Sequence, residues 1–579
     1  MTISNVNKSI VLITRLLDDK KPVKPIYTST PQKPNFGFCK TADIKRDTPE
    51  GCGIESERIA DFLTKLKNSR DLNMHSVLIG RNGKLCCEAV FNNHSLSTLK
   101  TTFSQCKSVL SLAVGIAIGQ GLLTLDTKII DLFPDDCNAI VRIKLKDLTI
   151  RHLLTMTSGV LFNEIECMTE TNWVRGFLRS ITDNPPGKKF NYNSLNSYML
   201  SAAICKLSGT SLSNFINKNL FAPLGITQFY WEKCPCGFEK GGWGLYISPY
   251  DMFKIATLVL NDGVLNGKQL IPADYLKFAC SKQVATPADC GDFDYGFHIW
   301  VGPSEEAFLF NGMFGQNVLC FKKSKIVVVS NAGNNEMFQQ NTYYKTALDT
   351  FSGDFPKKLA ANPLANTRLN RLMLHLNEPF KPECFIKRIY KNYQNKKHYL
   401  ALDGLSFAMT AENSIGLFPV ILQAVQNSYS SGLRGISFKV LNGNLNLVYE
   451  EAGCSYTVPV GFKEPLVSNQ LFFGEPYLIN CIGRFFTDED LRQVLVIDIN
   501  FLETPCTKRL KFQFDNDFCI LCQSENPGKP LIDLTLNSFK SSIPQIPILA
   551  PLFDKFDEDL ASYKVEKLFF PKVVLKKKS

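Results

Sequence analysis

The segment Phe103-Ser104-Gln105-Cys106-Lys107-Ser108-Val109-Leu110 places a serine and a lysine three residues apart, at the head of the apolar run Leu112 to Ile118. On a helix, positions i and i+3 share one face, so the Lys107 amine comes within reach of the Ser104 hydroxyl. A serine hydroxyl is a poor nucleophile until a neighbouring base takes its proton, and a neutral amine can be that base. Burial under the apolar helix favours the uncharged amine, and the positive end of that helix near Ser104 acts in the same sense. Such an enzyme should lose rate in acid as Lys107 takes up a proton. Taken singly, both residues have plainer readings: a serine at a helix start is commonly a cap, and a helix lysine is commonly solvated. Ser-x-x-Lys also recurs by chance in a chain of 579 residues, so its neighbours decide.

Those neighbours are ordered. Gly119-Gln120-Gly121-Leu122-Leu123-Thr124-Leu125-Asp126 follows the helix, then Asp131-Leu132-Phe133-Pro134 and Thr149-Ile150-Arg151-His152-Leu153-Leu154-Thr155-Met156-Thr157-Ser158-Gly159. Pro186-Gly187-Lys188-Lys189-Phe190-Asn191-Tyr192-Asn193-Ser194, Phe221-Ala222-Pro223-Leu224-Gly225-Ile226 and Gly242-Trp243-Gly244-Leu245-Tyr246 come after. In order and spacing the set resembles the beta-lactamase-related serine hydrolases, the superfamily of class C beta-lactamases, DD-peptidases and related esterases. The resemblance covers residues 48 to 355. It implies that Ser104 is the acyl-accepting nucleophile and Lys107 its base.

By the same resemblance Tyr192 matches the tyrosine of the family's Tyr-x-Asn element, which relays protons to and from the nucleophile and leaving group. The third position of that element is Ser194 here, which keeps a hydroxyl able to bond Lys107 but loses an amide that could grip a substrate carbonyl. The family's Lys-Thr-Gly or His-x-Gly strand is best matched by Phe310-Asn311-Gly312-Met313, which makes these four candidate substrate-binding residues together with Ser194. Glycine at that edge admits close approach of an acyl oxygen, and the resemblance implies an oxyanion hole formed by the Ser104 and Met313 N–H groups. Phe310 stands where many relatives place a cation, and without it a substrate carboxylate has lost a partner. A neutral ester or amide is therefore expected over a beta-lactam or a peptide C-terminus. The alternative is a scaffold or binding protein that keeps the fold with little or no catalysis.

The elements that must position these residues give an α+β reading. A helix is expected near Ser56 to Lys67, and Ser76 to Leu85 reads as a hairpin with a tight Asn82-Gly83 turn. Helices then dominate until strands return near residues 296 to 330, and a helix near Phe338 to Phe351 closes the domain. Strands at both ends with helices between predict one antiparallel sheet flanked by helices and a helical lobe, the architecture that the resemblance implies. Residues 1–47 read as an N-terminal extension, with Ser9 to Leu17 as a short docking strand or helix. Residues 48–355 form the hydrolase-like domain, and 356–380 read as a linker from their early Pro and Lys content. Residues 381–579 form a β-rich accessory domain, a sandwich or barrel. Its strand signals include Gly435 to Val440 and Leu445 to Tyr449 around Asn442-Gly443, and Val494 to Leu502 before Leu510 to Phe514.

Composition is that of a folded enzyme with 45% hydrophobic residues, and a net charge of +11 is modest over this length. No basic stretch interleaved with aromatics points to nucleic acid, and no run of about 18 apolar residues points to a membrane span. There are 19 cysteines; with no secretory signal before them, reduced thiols in the cytoplasm are the expectation. Cys234-Pro235-Cys236 and Cys519-Ile520-Leu521-Cys522 lack the paired spacing of a zinc ribbon. Neither a metal nor a cofactor is expected, and the partner is a small ester, amide or peptide substrate. His152 and His298 are expected to be satisfied core or surface histidines, since no Gly-x-Ser-x-Gly elbow recruits one into a triad. Oligomeric state is not written in the sequence.

Overall fold

A computed structural model describes residues 25, 27, 31–39, 43–335, 342–378, 385–528 and 558–578. The Ser9 to Leu17 segment lies outside the described residues. The described chain divides into two compact units, one of Phe38–Asn377 and one of described residues within Ile10–Gly37 and Glu378–Ser579.

The first unit is built on a seven-stranded antiparallel sheet whose strands come from both ends of the unit. In chain order they are β1 (Met74–Arg81), β2 (Lys84–Val90), β3 (Asp294–Tyr295), β4 (Trp300–Val301), β5 (Ala307–Gly312), β6 (Gln316–Phe321) and β7 (Ile326–Ala332). Their spatial order is β2-β1-β7-β6-β5-β4-β3. The β1–β2 hairpin turns on Asn82 and Gly83, at φ 49° and 75°, the pair of left-handed conformations that a two-residue hairpin loop of this kind requires. β1 then pairs with β7 (Leu78 opposite Val329), which ties the start of the domain to its end.

Helix α1 (Ser56–Asn68) covers one face of the sheet with its Ile59, Phe62, Leu63 and Leu66 stripe, backed by α5 (Thr342–Phe351) through an edge contact of Phe62 on Phe351 at 5.1 Å. On the other face lies the helical lobe, centred on α2 (Cys106–Gly119). Apart from Lys107, Ser108 and Ser111 this helix is apolar, and it is buried from Cys106 to Ala117. It packs beside α3 (Ser194–Ser208), and α4 (Pro249–Leu260) packs on β7 and β6.

One correction concerns the 356–380 span read as linker. Pro363–Leu376 within it is a helix, α6, which buries Leu369 and Leu376 and brings the Met373 sulfur to 3.6 Å from Cys87 Sγ on β2. Asn362 caps its N-terminus by accepting from Ala365 N–H, and Pro363 occupies the first turn, where a missing N–H costs nothing. The early Pro and Lys content that suggests a linker lies at Pro356 to Lys358, before the helix starts.

The second unit is a ten-stranded antiparallel sheet. Its strands are β8 (Ser406–Ala408), β9 (Leu433–Leu441), β10 (Asn444–Glu451), β11 (Cys454–Val460), β12 (Leu466–Phe472), β13 (Glu475–Thr487), β14 (Gln493–Phe501), β15 (Thr507–Phe514), β16 (Phe518–Asn526) and β17 (Lys572–Lys577). They run in the order β11-β10-β9-β8-β17-β16-β15-β14-β13-β12. A bridge of Gly461 to Ile482 draws the sheet ends together into a near-barrel, which decides between the sandwich and barrel readings. Phe418 fills it, with rings of Phe472, Tyr477 and Phe501 at 4.8, 5.0 and 6.0 Å.

Candidate active site

Ser104 sits on a single 3-10 turn, Phe103–Gln105, that leads directly into α2. The short strand Lys100–Thr101 pairs with Leu245–Ile247, and the Thr102 N–H and hydroxyl both donate to Leu245 O at 2.9 and 2.8 Å. Phe103 takes φ 46°, a left-handed conformation that a bulky residue rarely adopts, and Phe314 on the opposite rim takes φ 63°. Their rings meet edge-on at 5.6 Å. Such residues cost on the order of 1–3 kcal/mol each and persist only where their surroundings impose them.

The Lys107 amine points back along the helix to this turn. Its Nζ lies 2.7 Å from Ser104 Oγ, 3.0 Å from Ser194 Oγ and 2.7 Å from the Gly242 carbonyl oxygen, with the residue only 1% exposed. Each partner has its own support. Ser194 opens α3, where Asn193 caps the helix by accepting from Leu195 N–H at 2.8 Å. The Asn193 amide in turn donates to Val160 O and Phe162 O at 2.8 and 2.9 Å. Gly242 runs so close to α3 that a Cβ there would sit 2.7 Å from Ser194 O and 2.8 Å from Ser194 Cβ. Only a glycine lets its carbonyl reach the amine.

Tyr192 is brought to the site through its ring. Lys107 Nζ stands 4.9 Å from the ring centroid, and the ring is stacked on Trp300 at 5.8 Å and 22°. Among the described residues the phenol oxygen makes no hydrogen bond to Ser104 or Lys107. Beneath the site, His298 is buried with φ 56°, its Nε2 lying 2.9 Å from Ser197 Oγ and its backbone oxygen accepting from Ser108 Oγ at 2.7 Å. Burial, above all, pushes its imidazole down to about 3. This histidine is a neutral core group, not a base.

The β5 edge divides the remaining candidates. A Cβ on Gly312 would lie 2.3 Å from Thr102 O and 3.1 Å from Gln105 N, so this glycine lets the strand end press against the nucleophile turn. Met313 follows at the rim, half-buried. Phe310 is fully buried in the core cluster that contains Cys106 and Leu110. Asn311 points to the opposite face, where its Oδ1 accepts from the Tyr344 hydroxyl of α5 at 2.9 Å. Successive side chains on a strand alternate, so Phe310 and Asn311 lie on opposite faces of β5. The structure thus brings together Ser104, Lys107, Ser194, the Tyr192 ring and Gly312, but turns the Asn311 amide away from them and closes Phe310 off from solvent.

Gly242 and Trp300 are site residues that side-chain reasoning does not find. A carbonyl acceptor has no side-chain signature, although the Gly241-Gly242 doublet marks a place of close backbone approach. Among the described residues no group of three or more His, Cys, Asp or Glu could hold a metal ion, and no helix is long and apolar enough to cross a membrane.

Residues 59–348 match the Beta-lactamase protein family. An uncharacterized protein of Alkalihalophilus pseudofirmus is 24% identical over 241 residues, which is 37% of this chain and 66% of that protein. The ML-236A carboxylate methylbutanoyltransferase of Penicillium citrinum is 30% identical over 133 residues, 19% of this chain and 32% of that protein. The chain therefore spans less than two thirds of the length of either curated relative. A penicillin-binding protein of Bacillus halodurans superposes with a TM-score of 0.40 at 17% identity, covering 50% of this chain and 97% of that one.

Proposed function

Because this chain belongs to the beta-lactamase family, we propose that it is a serine hydrolase that forms an acyl-enzyme at Ser104, with Lys107 and Tyr192 moving the protons, on a neutral ester or amide. The observation that carries this reading is the 2.7 Å contact of Lys107 Nζ with Ser104 Oγ, at a lysine otherwise held by one hydroxyl and one carbonyl. In its neutral state the amine donates its two hydrogens to Ser194 Oγ and Gly242 O, which leaves its lone pair facing the Ser104 hydroxyl.

Ser104 Oγ then attacks the acyl carbon as its proton passes to Lys107. The Ser104 and Met313 N–H groups receive the negative charge on the acyl oxygen. Collapse of the tetrahedral adduct breaks the bond to the alcohol or amine, which takes the proton back from Lys107 by way of the Tyr192 phenol. Water, deprotonated by the same pair, releases the acid and restores Ser104. The buried Phe310 ring offers no charge to a carboxylate, which supports a neutral substrate. Short-chain aryl esters are therefore expected to turn over much faster than nitrocefin, and the reverse ranking would refute the substrate assignment.

A second reading, a fold retained with little catalysis, is favoured by one feature: the Tyr192 ring rather than its oxygen faces Lys107. A fluorophosphonate probe separates the two. Labelling of the wild type that vanishes in Ser104→Ala supports the hydrolase; a well-folded wild type that takes no label supports the scaffold.

A further inference from the structure

The first unit opens with chain laid along β2, the edge strand of its sheet. Asp47 N–H donates to Leu85 O and Leu85 N–H to Lys45 O, both at 2.9 Å. The chain then makes one 3-10 turn, Glu50–Cys52, and leaves it through Gly53 at φ 73°. Cys52 is held on both sides: its N–H donates to Thr48 O and Pro49 O at 3.0 Å, and its oxygen accepts from Arg81 Nη1 at 2.9 Å.

Opposite this turn β2 is irregular. Ile79 pairs with Cys87 and Gly80 with Leu85, so Cys86 is the extra residue of a β-bulge, a feature that re-aims a side chain at a sheet edge. Its sulfur lies 3.5 Å from Ile79 O and meets the Cys52 thiol: with Cys52 ionised, the Cys86 S–H donates to it. The pair reaches the surface at Cys86, which is partly exposed. Cys87 is engaged elsewhere, with its sulfur buried 3.6 Å from Met373 Sδ.

The two thiols are chemically unequal. The hydrogen bond from Cys86 holds the Cys52 thiol below its ordinary value, helped by Lys84 and Arg81 and outweighing burial and Asp47. The same bond, and then burial, push the Cys86 thiol up. A thiol that ionises readily beside one that keeps its proton is the arrangement of an oxidisable cysteine with its resolving partner. Cys236 and Cys454, which stand exposed, have thiols pushed up by the partial burial of their sulfurs.

We propose that Cys52 and Cys86 form an oxidation site that closes to a disulfide when the protein meets hydrogen peroxide. The Cys52 thiolate attacks one peroxide oxygen; the S–O bond forms, the O–O bond breaks, and hydroxide leaves and takes up the proton that Cys52 had released. The Cys86 sulfur then attacks the Cys52 sulfur. The S–S bond forms as the S–O bond breaks, and the second oxygen leaves as water with the Cys86 proton, so the thiols lose two electrons and the peroxide gains them. The bridge closes a loop that holds α1 and the β1–β2 hairpin, and so restricts the unfolded chain. It lies at the end of the sheet where Arg81 pairs with Ile326, Ile326 with Phe321 and Phe321 with Ala307, the opposite end of β5 from Gly312. The proposal does not depend on hydrolysis at Ser104.

Brief exposure of the full chain to hydrogen peroxide, then alkylation of the remaining thiols, non-reducing digestion and mass spectrometry, tests it. A Cys52–Cys86 cross-link should form about tenfold or more faster than Cys236 or Cys454 is oxidised, and dithiothreitol should undo it. In Cys86→Ser, Cys52 should instead accumulate as a sulfenic acid that dimedone traps, and Cys52→Ser should form no bridge. In scanning calorimetry the bridged protein should melt about 5 °C or more above the reduced one, a rise absent from both variants, with fluorophosphonate labelling of Ser104 the same in all. The proposal is overturned if Cys52 and Cys86 stay reduced while Cys236 and Cys454 oxidise, if Cys52 links to Cys87, if the bridged protein melts no higher, or if Cys86→Ser yields no trapped sulfenic acid.

Discussion

Lys107 is a buried lysine with no carboxylate beside it: its hydrogen-bond partners are two hydroxyls and a carbonyl. An apolar side chain of similar size in such a place would stabilise the fold as well or better, so the proposed base can be removed without removing the fold. Lys107→Met should keep the fold and lower the rate of Ser104 acylation by about 10²–10⁴, as read from the time course of probe labelling. Ser194→Ala, which removes one hydroxyl partner but leaves Gly242 O, should cost about tenfold. His298 gives a separate test through stability. Its folded pKa is depressed to about 3, below the ordinary value near 6.5, so its contribution is present above about pH 6.5 and is lost as pH falls toward 3. At pH 5 the loss is about 2 kcal/mol. His298→Gly suits φ 56° and should flatten the fall in denaturation free energy between pH 7 and 5; an unchanged slope would contradict the assignment. At this scale much was legible. Ser104 and Lys107 lie three residues apart, a spacing that helix geometry converts directly into contact, while Ser194, 87 residues from Lys107, was legible only through the family resemblance. The facing of Asn311 required knowing which side of β5 meets the site, and the Gly242 carbonyl lies 135 residues from Lys107 in sequence, so neither could be read.

At the scale of elements, the site depends on three backbones that meet without side chains between them. Gly242→Ala would drive a methyl to 2.7 Å from Ser194 O, and Gly312→Ala would place one 2.3 Å from Thr102 O. Backbone cannot give way as a flexible side chain can. Both variants should fold, with lowered thermal midpoints, and lose most of the labelling at Ser104; normal labelling in either would show that these close approaches are not needed. The apolar α2 and the Asn82-Gly83 hairpin were readable because pattern and turn chemistry agree in them. Helix α6 was not, because the Pro356-Lys357-Lys358 opening set the reading of the whole span, while the Asn362 cap and first-turn Pro363 that start a helix lie further along it. The curl of the second sheet was open in the sequence, since alternating strands serve sandwich and barrel alike.

At the scale of the whole molecule, the described residues before Phe38 belong with the second unit, although the chain from Phe38 to Asn377 forms the first. Lys33 belongs with the second unit: its Nζ donates to Glu503 Oε2 at 2.8 Å and to Pro476 O, and stands 4.5 Å from the centroid of the Tyr477 ring. The two side chains of the pair are 1% and 3% exposed. Removing Lys33 leaves Glu503 charged in the interior, which costs about 3–5 kcal/mol. In scanning calorimetry, Lys33→Ala should lower a transition of the second unit and leave labelling at Ser104 at the wild-type rate. Loss of labelling would mean that the two units do not melt independently. An N-terminal segment read from composition as an irregular extension proves to hold a buried ion pair, because its partner lies 470 residues away and no local pattern marks it.

The central claim is that the Lys107 amine deprotonates Ser104. Intact-mass spectrometry of wild type and Lys107→Met, quenched in acid during turnover of a slow aryl ester and mapped by peptide digestion, tests it most directly. The account predicts one acyl group on Ser104 in the wild type, accumulating at least 10²-fold more slowly in Lys107→Met. An acyl group at another residue, or equal rates in the two proteins, would contradict it.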